Sequence, residues 1–224
     1  MSPAASAGHT FMHSVTCQIS VSLDGFVAGP NQSFENPIGE GGMRLHDWAF
    51  ATDSWRAQQG LEGGVHNVDA QVIAELFQGV GAYVMGRKMF GGGDGQWDET
   101  WTGWWGEDPP FHAPVFVLTH HPRAPLSMRG GTTFTFVTDG IESALAQARA
   151  AAGEQDVAIA GGATAVQQYL AGGMLDELYL HIVPVILGAG ERLLADVGSP
   201  TLEPVEVIAS PAVTHIRYRI VRQP

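Results

Sequence analysis

Residues 15–23 alternate strictly, with Val15, Cys17, Ile19, Val21 and Leu23 apolar and Thr16, Gln18, Ser20 and Ser22 polar, and Asp24-Gly25 follows. A period of two that ends in a turn dipeptide predicts a strand. Residues 28–43 are dense in Gly, Pro and Asn and predict a long loop, a kind of segment that tends to carry function. Apolar positions then move to helical spacing: Leu45, Trp48, Ala49 and Trp55 predict a helix over 44–58, and Val72, Ile73, Leu76 and Phe77 one over 69–77. Strands are predicted at 82–85, 114–119, 133–137, 157–160 and 175–187, and helices at 141–152 and 163–171. Residues 204–221 predict two strands around Ser210-Pro211. Strands alternating with helices imply a mostly parallel sheet covered on both faces, closed by antiparallel edge strands.

The chain has 224 residues, 45% of them apolar and 15% charged, as expected for one packed domain over residues 13–224. Residues 1–12 are small and polar and are expected to form a disordered tail without a signal peptide. The formal charge of -12 argues against nucleic-acid or anionic-membrane partners, which need a basic surface. Basic residues number only eleven, and Lys88 is the sole lysine, so a cluster of them beside a glycine turn is informative. Cys17 is the only cysteine, which excludes an internal disulfide and a multi-cysteine zinc site; a buried inert thiol in a cytoplasmic protein is expected. The histidines show no paired spacing for a metal.

Three predicted strand ends carry the candidate chemistry. Val157-Ala158-Ile159-Ala160 runs into Gly161-Gly162-Ala163-Thr164 and a helix, a turn that presents free amides and a helix N-terminus to a phosphate, or that serves only as a tight βα turn. It is not the standard dinucleotide fingerprint. Val84-Met85-Gly86 delivers Arg87 and Lys88 to the carboxyl edge of the sheet, where ligands bind in open α/β folds. Val117-Leu118-Thr119 delivers His120, His121 and Arg123. Arg and His donors in that place suit an adenosine 2'-phosphate or a pyrophosphate. Trp97, Trp101, Trp104 and Trp105 crowd one loop that must cover a pocket, meet a partner subunit or pack on its own core. Tyr179 and His181 share one strand face, with a core or interface role as the default.

These segments, VMGRKMF, VFVLTHHPR, VTDGIESALAQARAA and DVAIAGGATAVQQYLAGGMLDELYLHIVPVILGAGERLL, with the SLDG opening at Ser22–Gly25, resemble the dihydrofolate reductase superfamily. The branch they are most similar to is the reductase domain of the bifunctional riboflavin-biosynthesis deaminase-reductase, and the likeness runs from Val15 to Tyr218. It implies a three-layer α/β sandwich with a mixed, mostly parallel central sheet of about eight strands, flanking helices, and a homodimer. It implies NADPH, with Gly161, Gly162, Ala163 and Thr164 at the pyrophosphate, Gly86, Arg87 and Lys88 along the phosphates, and Thr119, His120 and Arg123 around the 2'-phosphate. Opposite the nicotinamide it places Ser22, Asp24, Gly188, Gly190 and Glu191, with Trp97 a candidate stacking wall for a flat substrate. Asp24, Asp47 and Glu191 are the catalytic candidates, Asp47 having a solvated helix position as its alternative. The zinc-deaminase half is excluded, because one cysteine cannot supply its ligands. The implied activity is hydride transfer to a C=N or C=O of a small pterin-, pyrimidine- or ribosylamino-type heterocycle. A nucleotide-binding protein without turnover and a reductase of an unrelated small carbonyl compound are the alternatives.

Overall fold

The computed structural model describes residues 13–221, so the expected tail lies outside the described residues. The strands are β1 (Val15–Ser22), β2 (Phe26–Ala28), β3 (Val80–Gly86), β4 (Pro114–Leu118), β5 (Leu126–Ser127), β6 (Thr133–Val137), β7 (Asp156–Gly161), β8 (Glu177–Val183), β9 (Glu191–Arg192), β10 (Thr201–Ala209) and β11 (Thr214–Val221). The helices are α1 (Asp47–Phe50), α2 (Asp53–Gln58), α3 (Val68–Glu75), α4 (Arg87–Phe90), α5 (Ile141–Ala152) and α6 (Ala163–Ala171). The main sheet runs β10-β11-β8-β1-β7-β3-β4-β6-β5, nine strands where about eight were expected, and β2 pairs with β9 in a separate ribbon. From β8 to β6 all neighbours are parallel, while β5, β10 and β11 are antiparallel. Among the described residues no helix is long and apolar enough to cross a membrane.

Differences from the predicted elements have local causes. The strand predicted over 175–187 stops at Val183, because Pro184 has no N–H for the ladder. The helix predicted over 44–58 is broken into a 3-10 turn (Gly42–Leu45), α1 and α2. The break is Thr52, extended at φ -81° and ψ 150°, whose side chain accepts from the Trp55 N–H as the cap of α2. Leu23, placed on the apolar face by alternation, lies beyond the strand and is 65% exposed.

The two faces of the sheet are buried in different ways. On one, Val15, Cys17, Val84, Val157, Ile159 and Leu178 pack under α5 and α6 through Ala144, Leu145, Ala148, Val166 and Leu170. Cys17 is fully buried there, and burial pushes its thiol up to about 12, as fits an inert group. The opposite face has two separate covers. Leu45, Trp48, Ala49, Val72 and Ile73 of the α1–α3 region cover the β1, β8 and β11 side. Over Tyr83, Met85, Val115, Val117 and Phe134 the cover is the tryptophan-rich loop, packed through Phe90, Trp97, Trp101 and Trp105. That loop therefore folds onto its own core.

Beneath Trp48 the core turns polar. The register sets Ser20 beside His181 and His181 beside His215, one residue on each of β1, β8 and β11, so all three share a face. His181 Nδ1 lies 2.8 Å from His215 Nδ1, and His215 Nε2 lies 3.1 Å from Asp69 Oδ1 at the start of α3. Trp48 packs on both rings, at 5.0 and 4.9 Å between centroids, and its Nε1 donates to Ser20 Oγ at 3.1 Å. Burial, reinforced by the neighbouring His215 and His46, pushes His181 down to about 3. Burial also lowers His215, with Asp69 opposing it.

A pH effect on stability follows. Unfolded histidine titrates near 6.5, so below that pH the unfolded chain takes up a proton that the folded chain refuses. The stability is complete above about pH 6.5 and is lost progressively as pH falls toward about 3. Urea unfolding of the chain and of His181→Gln at pH 7 and pH 5 measures this. The variant should lose less stability between the two pH values, and an equal loss in both chains would place the effect elsewhere.

Candidate functional site

Two covers on one face leave a gap between them, and that gap is the cleft, about 1100 Å³ in volume. Its floor includes Gln18 and Ser20 of β1 and Ala158 and Ala160 of β7. His46, Phe50 and Trp55 bound it on the α1–α2 side, and Trp104, Trp105 and Phe111 on the loop side. It opens round the carboxyl ends of β3, β4 and β7, where Gly86–Lys88, Thr119, His120 and Gly161–Thr164 line it. The three strand ends singled out in the sequence therefore meet on one cleft.

At the ends of β3 and β4 the positive charge is organised by an indole. The Arg87 guanidinium lies 3.8 Å from the Trp97 ring centroid, donates to the Gly95 carbonyl at 2.6 Å and reaches Thr119 Oγ1 at 3.5 Å. The Arg123 guanidinium lies 5.2 Å from the same ring, donates to the Glu99 carbonyl at 2.9 Å, and has its side chain fully buried. Trp97 Nε1 in turn donates to the His121 carbonyl at 2.7 Å. Trp97 is thus buried beneath the arginines and does not line the cleft, and neither does Arg123. Burial pushes Arg87 below its usual pKa, Asp94 opposes this, and Arg123 adds to it. Arg87 Nε and Arg123 Nε and Nη1 are buried with no hydrogen-bond acceptor, although Arg123 Nε is ion-paired with Glu99 Oε2 at 3.4 Å. His120 is exposed on the rim.

At the end of β7 the chain turns through Gly161 at φ +128° into α6, and the Gly161-Gly162 peptide is cis. A side chain at Gly161 would be strained and would meet Met89 Sδ at 3.3 Å, whereas beside Gly162 there is open space. No side chain caps α6, so its first amides and its positive dipole end face the cleft beside the exposed Thr164.

The residues expected opposite the nicotinamide divide. Asp24 Oδ1 accepts from Ser22 Oγ at 2.7 Å and from the Leu187 N–H at 3.1 Å, and Oδ2 accepts from the Gly188 N–H at 2.7 Å. These bonds, that of Ser22 first, hold its carboxyl down at about 2, so Asp24 is ionised at neutral pH and cannot serve as a proton donor. Ser22, Asp24, Gly188 and Gly190 form a brace that ties the β1–β2 turn to the LGAG loop, and none of them lines the cleft. Glu191 does, 3.6 Å from Lys88 Nζ across the opening. Asp47 is exposed and lies outside the cleft lining, in its alternative place as a solvated helix residue.

Gln18, Ser20, His46 and the buried His181–His215–Asp69 row were not singled out as a site by the sequence. Gln18 and Ser20 are the polar half of an alternating strand, and their register with His181 is not visible along the chain. Only the placement of polar residues on a strand face that ought to be covered could have flagged them.

A family model described as RibD C-terminal domain matches residues 13–216. No curated protein matches the chain. Among solved structures, a protein described as a putative riboflavin biosynthesis protein from Shewanella sp. PV-4 is similar with a TM-score of 0.64 at 22% identity, over 93% of this chain and 99% of that one. A diaminohydroxyphosphoribosylaminopyrimidine deaminase/5-amino-6-(5-phosphoribosylamino)uracil reductase from Thermotoga maritima matches at 0.55 and 15% identity, over 93% of this chain and 57% of that longer one. Dihydrofolate reductase from Enterococcus faecalis, complexed with NADP(H) and RAB-propyl, matches at 0.53 and 15%, over 92% and 96%. The fold expected from the resemblance is the fold observed.

The brace has a measurable weak point. Gly190 sits at φ +129°, and a Cβ there would collide with the Ala28 carbonyl oxygen, whereas beside Gly188, at φ +76°, nothing lies within 4 Å. Gly190→Ala should cost about 2–4 kcal/mol through strain plus overlap, and Gly188→Ala about 1 kcal/mol through strain alone. Thermal melting of the two variants tests the docking, and equal melting would show that the LGAG loop does not pack on β2.

Proposed function

The chain belongs to the RibD C-terminal domain family, and from that premise we propose that it is an NADPH-dependent reductase. It would transfer hydride to a C=N or C=O of a small pterin-, pyrimidine- or ribosylamino-type heterocycle. The observation that carries this is the meeting, on one cleft of an acidic protein, of an uncapped glycine turn with Lys88 and the Arg87 guanidinium, whose buried Nε has no acceptor. Buried donors without partners are costly unless a ligand completes them. The relatives support the reading: one carries NADP(H), and another, of which this chain spans 57%, is described as a deaminase and 5-amino-6-(5-phosphoribosylamino)uracil reductase.

The residues fit the cofactor. Gly162, Ala163 and Thr164 would hold the pyrophosphate on the α6 amides, where a side chain at 162 would occupy open cleft space. Gly86, Arg87, Lys88, Thr119 and His120 would bind the adenosine phosphates, with Arg87 stacked on Trp97 and aimed by its bond to Gly95. Arg123, fully buried, would act from behind by holding Trp97 and adding positive potential. NADPH, when bound, supplies the hydride. The protein's part is to orient the two rings between the β1–β7 floor and Trp104, Trp105 and Phe111, and to exclude water. Glu191 and Lys88 would close the opening. A homodimer and a cytoplasmic location belong to the same proposal.

One observation favours a second reading, nucleotide binding without turnover. The carboxylates that line the cleft, Asp94, Asp108 and Glu191, each stand beside a basic side chain, namely Arg87, His112 and Lys88. No carboxylate of the lining stands apart from a basic group as a candidate proton donor.

Titration of NADPH and NADH against the chain and Arg87→Ala tests the phosphate site. Loss of a charge-assisted contact worth ~1.5–3 kcal/mol should weaken NADPH by about tenfold or more and NADH far less; equal weakening would remove the assignment. Absorbance of NADPH with a panel of heterocycles then separates the readings, since binding without oxidation favours the second.

A further inference from the structure

The α1 side of the cleft holds polar atoms that the cofactor does not use. Gln18 Nε2 donates to the Leu76 carbonyl at 3.3 Å, which leaves Gln18 Oε1 as a buried acceptor with no donor. His46 Nδ1 and His181 Nε2 are likewise buried and unpartnered. All three belong to one region: Gln18 and His46 line the cleft, and His181 is the cross-strand neighbour of Ser20, which lines it as well. His181 is only 2% exposed, beneath Trp48.

The hydrogen-bond chain dictates which nitrogen of His181 carries the proton. Asp69 Oδ2 already accepts from Asn67 Nδ2 at 3.2 Å and Ser210 Oγ at 3.1 Å, so the carboxylate faces His215 as an acceptor. His215 must therefore donate from Nε2, and as a neutral ring it is left with a bare Nδ1. His181 then donates from its own Nδ1, 2.8 Å away, and its Nε2 is a bare lone pair. Reversing either tautomer would set two donors or two acceptors against each other. Burial holds His181 and His215 below their usual pKa, which keeps the chain in this state.

We propose that Asp69 and His215 are positioning residues that fix His181 with its Nε2 bare, so that this buried nitrogen, beside Ser20, and the buried Gln18 Oε1 make the layer beneath the β1 side of the cleft neutral and hydrogen-bond-accepting. Its ligand is an uncharged ring that presents N–H donors over Ser20, with one water carrying the hydrogen bond to the buried Nε2. The inference rests on the reductase reading only in treating this lobe as the substrate's. A cationic ring is disfavoured, because Asp69 is screened by two imidazoles and Asp47 is exposed to solvent. Burial lowers the pKa of His46, against the Gly42 backbone hydrogen bond and the charge of Asp47.

Nitrogen-15 spectra of the histidine rings test the chain directly, in the native protein with NADPH present. His181 should show Nδ1 protonated and Nε2 bare, with His215 of the opposite tautomer; a protonated Nε2 on His181 overturns the proposal. As probes, 6-aminouracil offers ring and amino N–H donors, and 1,3-dimethyluracil has none. The first should bind at least about tenfold more tightly and move the His181 Nε2 resonance, as one or two hydrogen bonds allow. Gln18→Leu and Asp69→Asn should each reduce that preference. Equal affinities, no binding of either probe, or an unmoved Nε2 resonance would overturn it. The wild-type spectrum decides the tautomer even if Asp69→Asn does not fold. NADPH affinity is read on the same sample, so that a failed reductase reading, with no NADPH bound, is told apart from a failed acceptor surface.

Discussion

A parallel sheet has to be covered on both faces, and this chain meets that requirement unequally. On one face α5 and α6 lie side by side over β7, β3 and β4, and the core between them is continuous. On the other, a broken helical segment covers one end and a tryptophan-rich loop covers the other. The cleft is the seam between those two covers. Its floor includes small or polar side chains, Gln18, Ser20, Ala158 and Ala160. The loop is held in shape by ring contacts rather than backbone ladders: Trp97 on Phe136 at 4.9 Å, Trp105 on Phe111 at 4.9 Å, and Trp101 on Trp104 at 4.6 Å.

Charge is distributed against the net balance. A chain of formal charge -12 concentrates Arg87, Lys88 and Arg123 at adjoining strand ends. Two guanidinium groups near one indole repel each other, and Trp97 offsets part of that repulsion through its ring face. The Glu99 carboxylate, 3.4 Å from Arg123 Nε, offsets a further part, and Arg87, on the cleft, keeps its Nε without an acceptor. The same loop then has two effects: it buries the sheet, and it holds the cations in place.

The elements were legible in the sequence wherever periodicity was uninterrupted. Helices 141–152 and 163–171 have the predicted bounds, and so does the strand 133–137. The gathering of Gly86–Lys88, Thr119 and Gly161–Thr164 was legible too, because strand ends of a parallel sheet share one edge. What the chain order hid were contacts across long separations. Asp24 reads as an active-site carboxylate from its SLDG setting, but the Leu187 and Gly188 amides, more than 160 positions away, turn it into a brace. Arg123 reads as a phosphate ligand from its place after β4, but Glu99 and Trp97 close over it. Neither fate is written in the local pattern, since each depends on how a loop folds back.

The histidine row shows why such hidden contacts matter. Alternation assigns His181 to a face of β8 but says nothing of its polarity partners, and a lone strand histidine is most often a packed one. Packing alone would be served by Leu or Phe at lower cost, because each buried imidazole must be held neutral and hydrogen-bonded. Here the cost is met on one side only. Asp69, with its own donors in Asn67 and Ser210, anchors the outer end of the row, while the inner end stops at a buried, unpaired nitrogen of the cross-strand neighbour of Ser20. A row built only for stability would be satisfied at both ends. One satisfied only at its far end carries the tautomer set by a remote carboxylate to the residue beside Ser20, which lines the cleft.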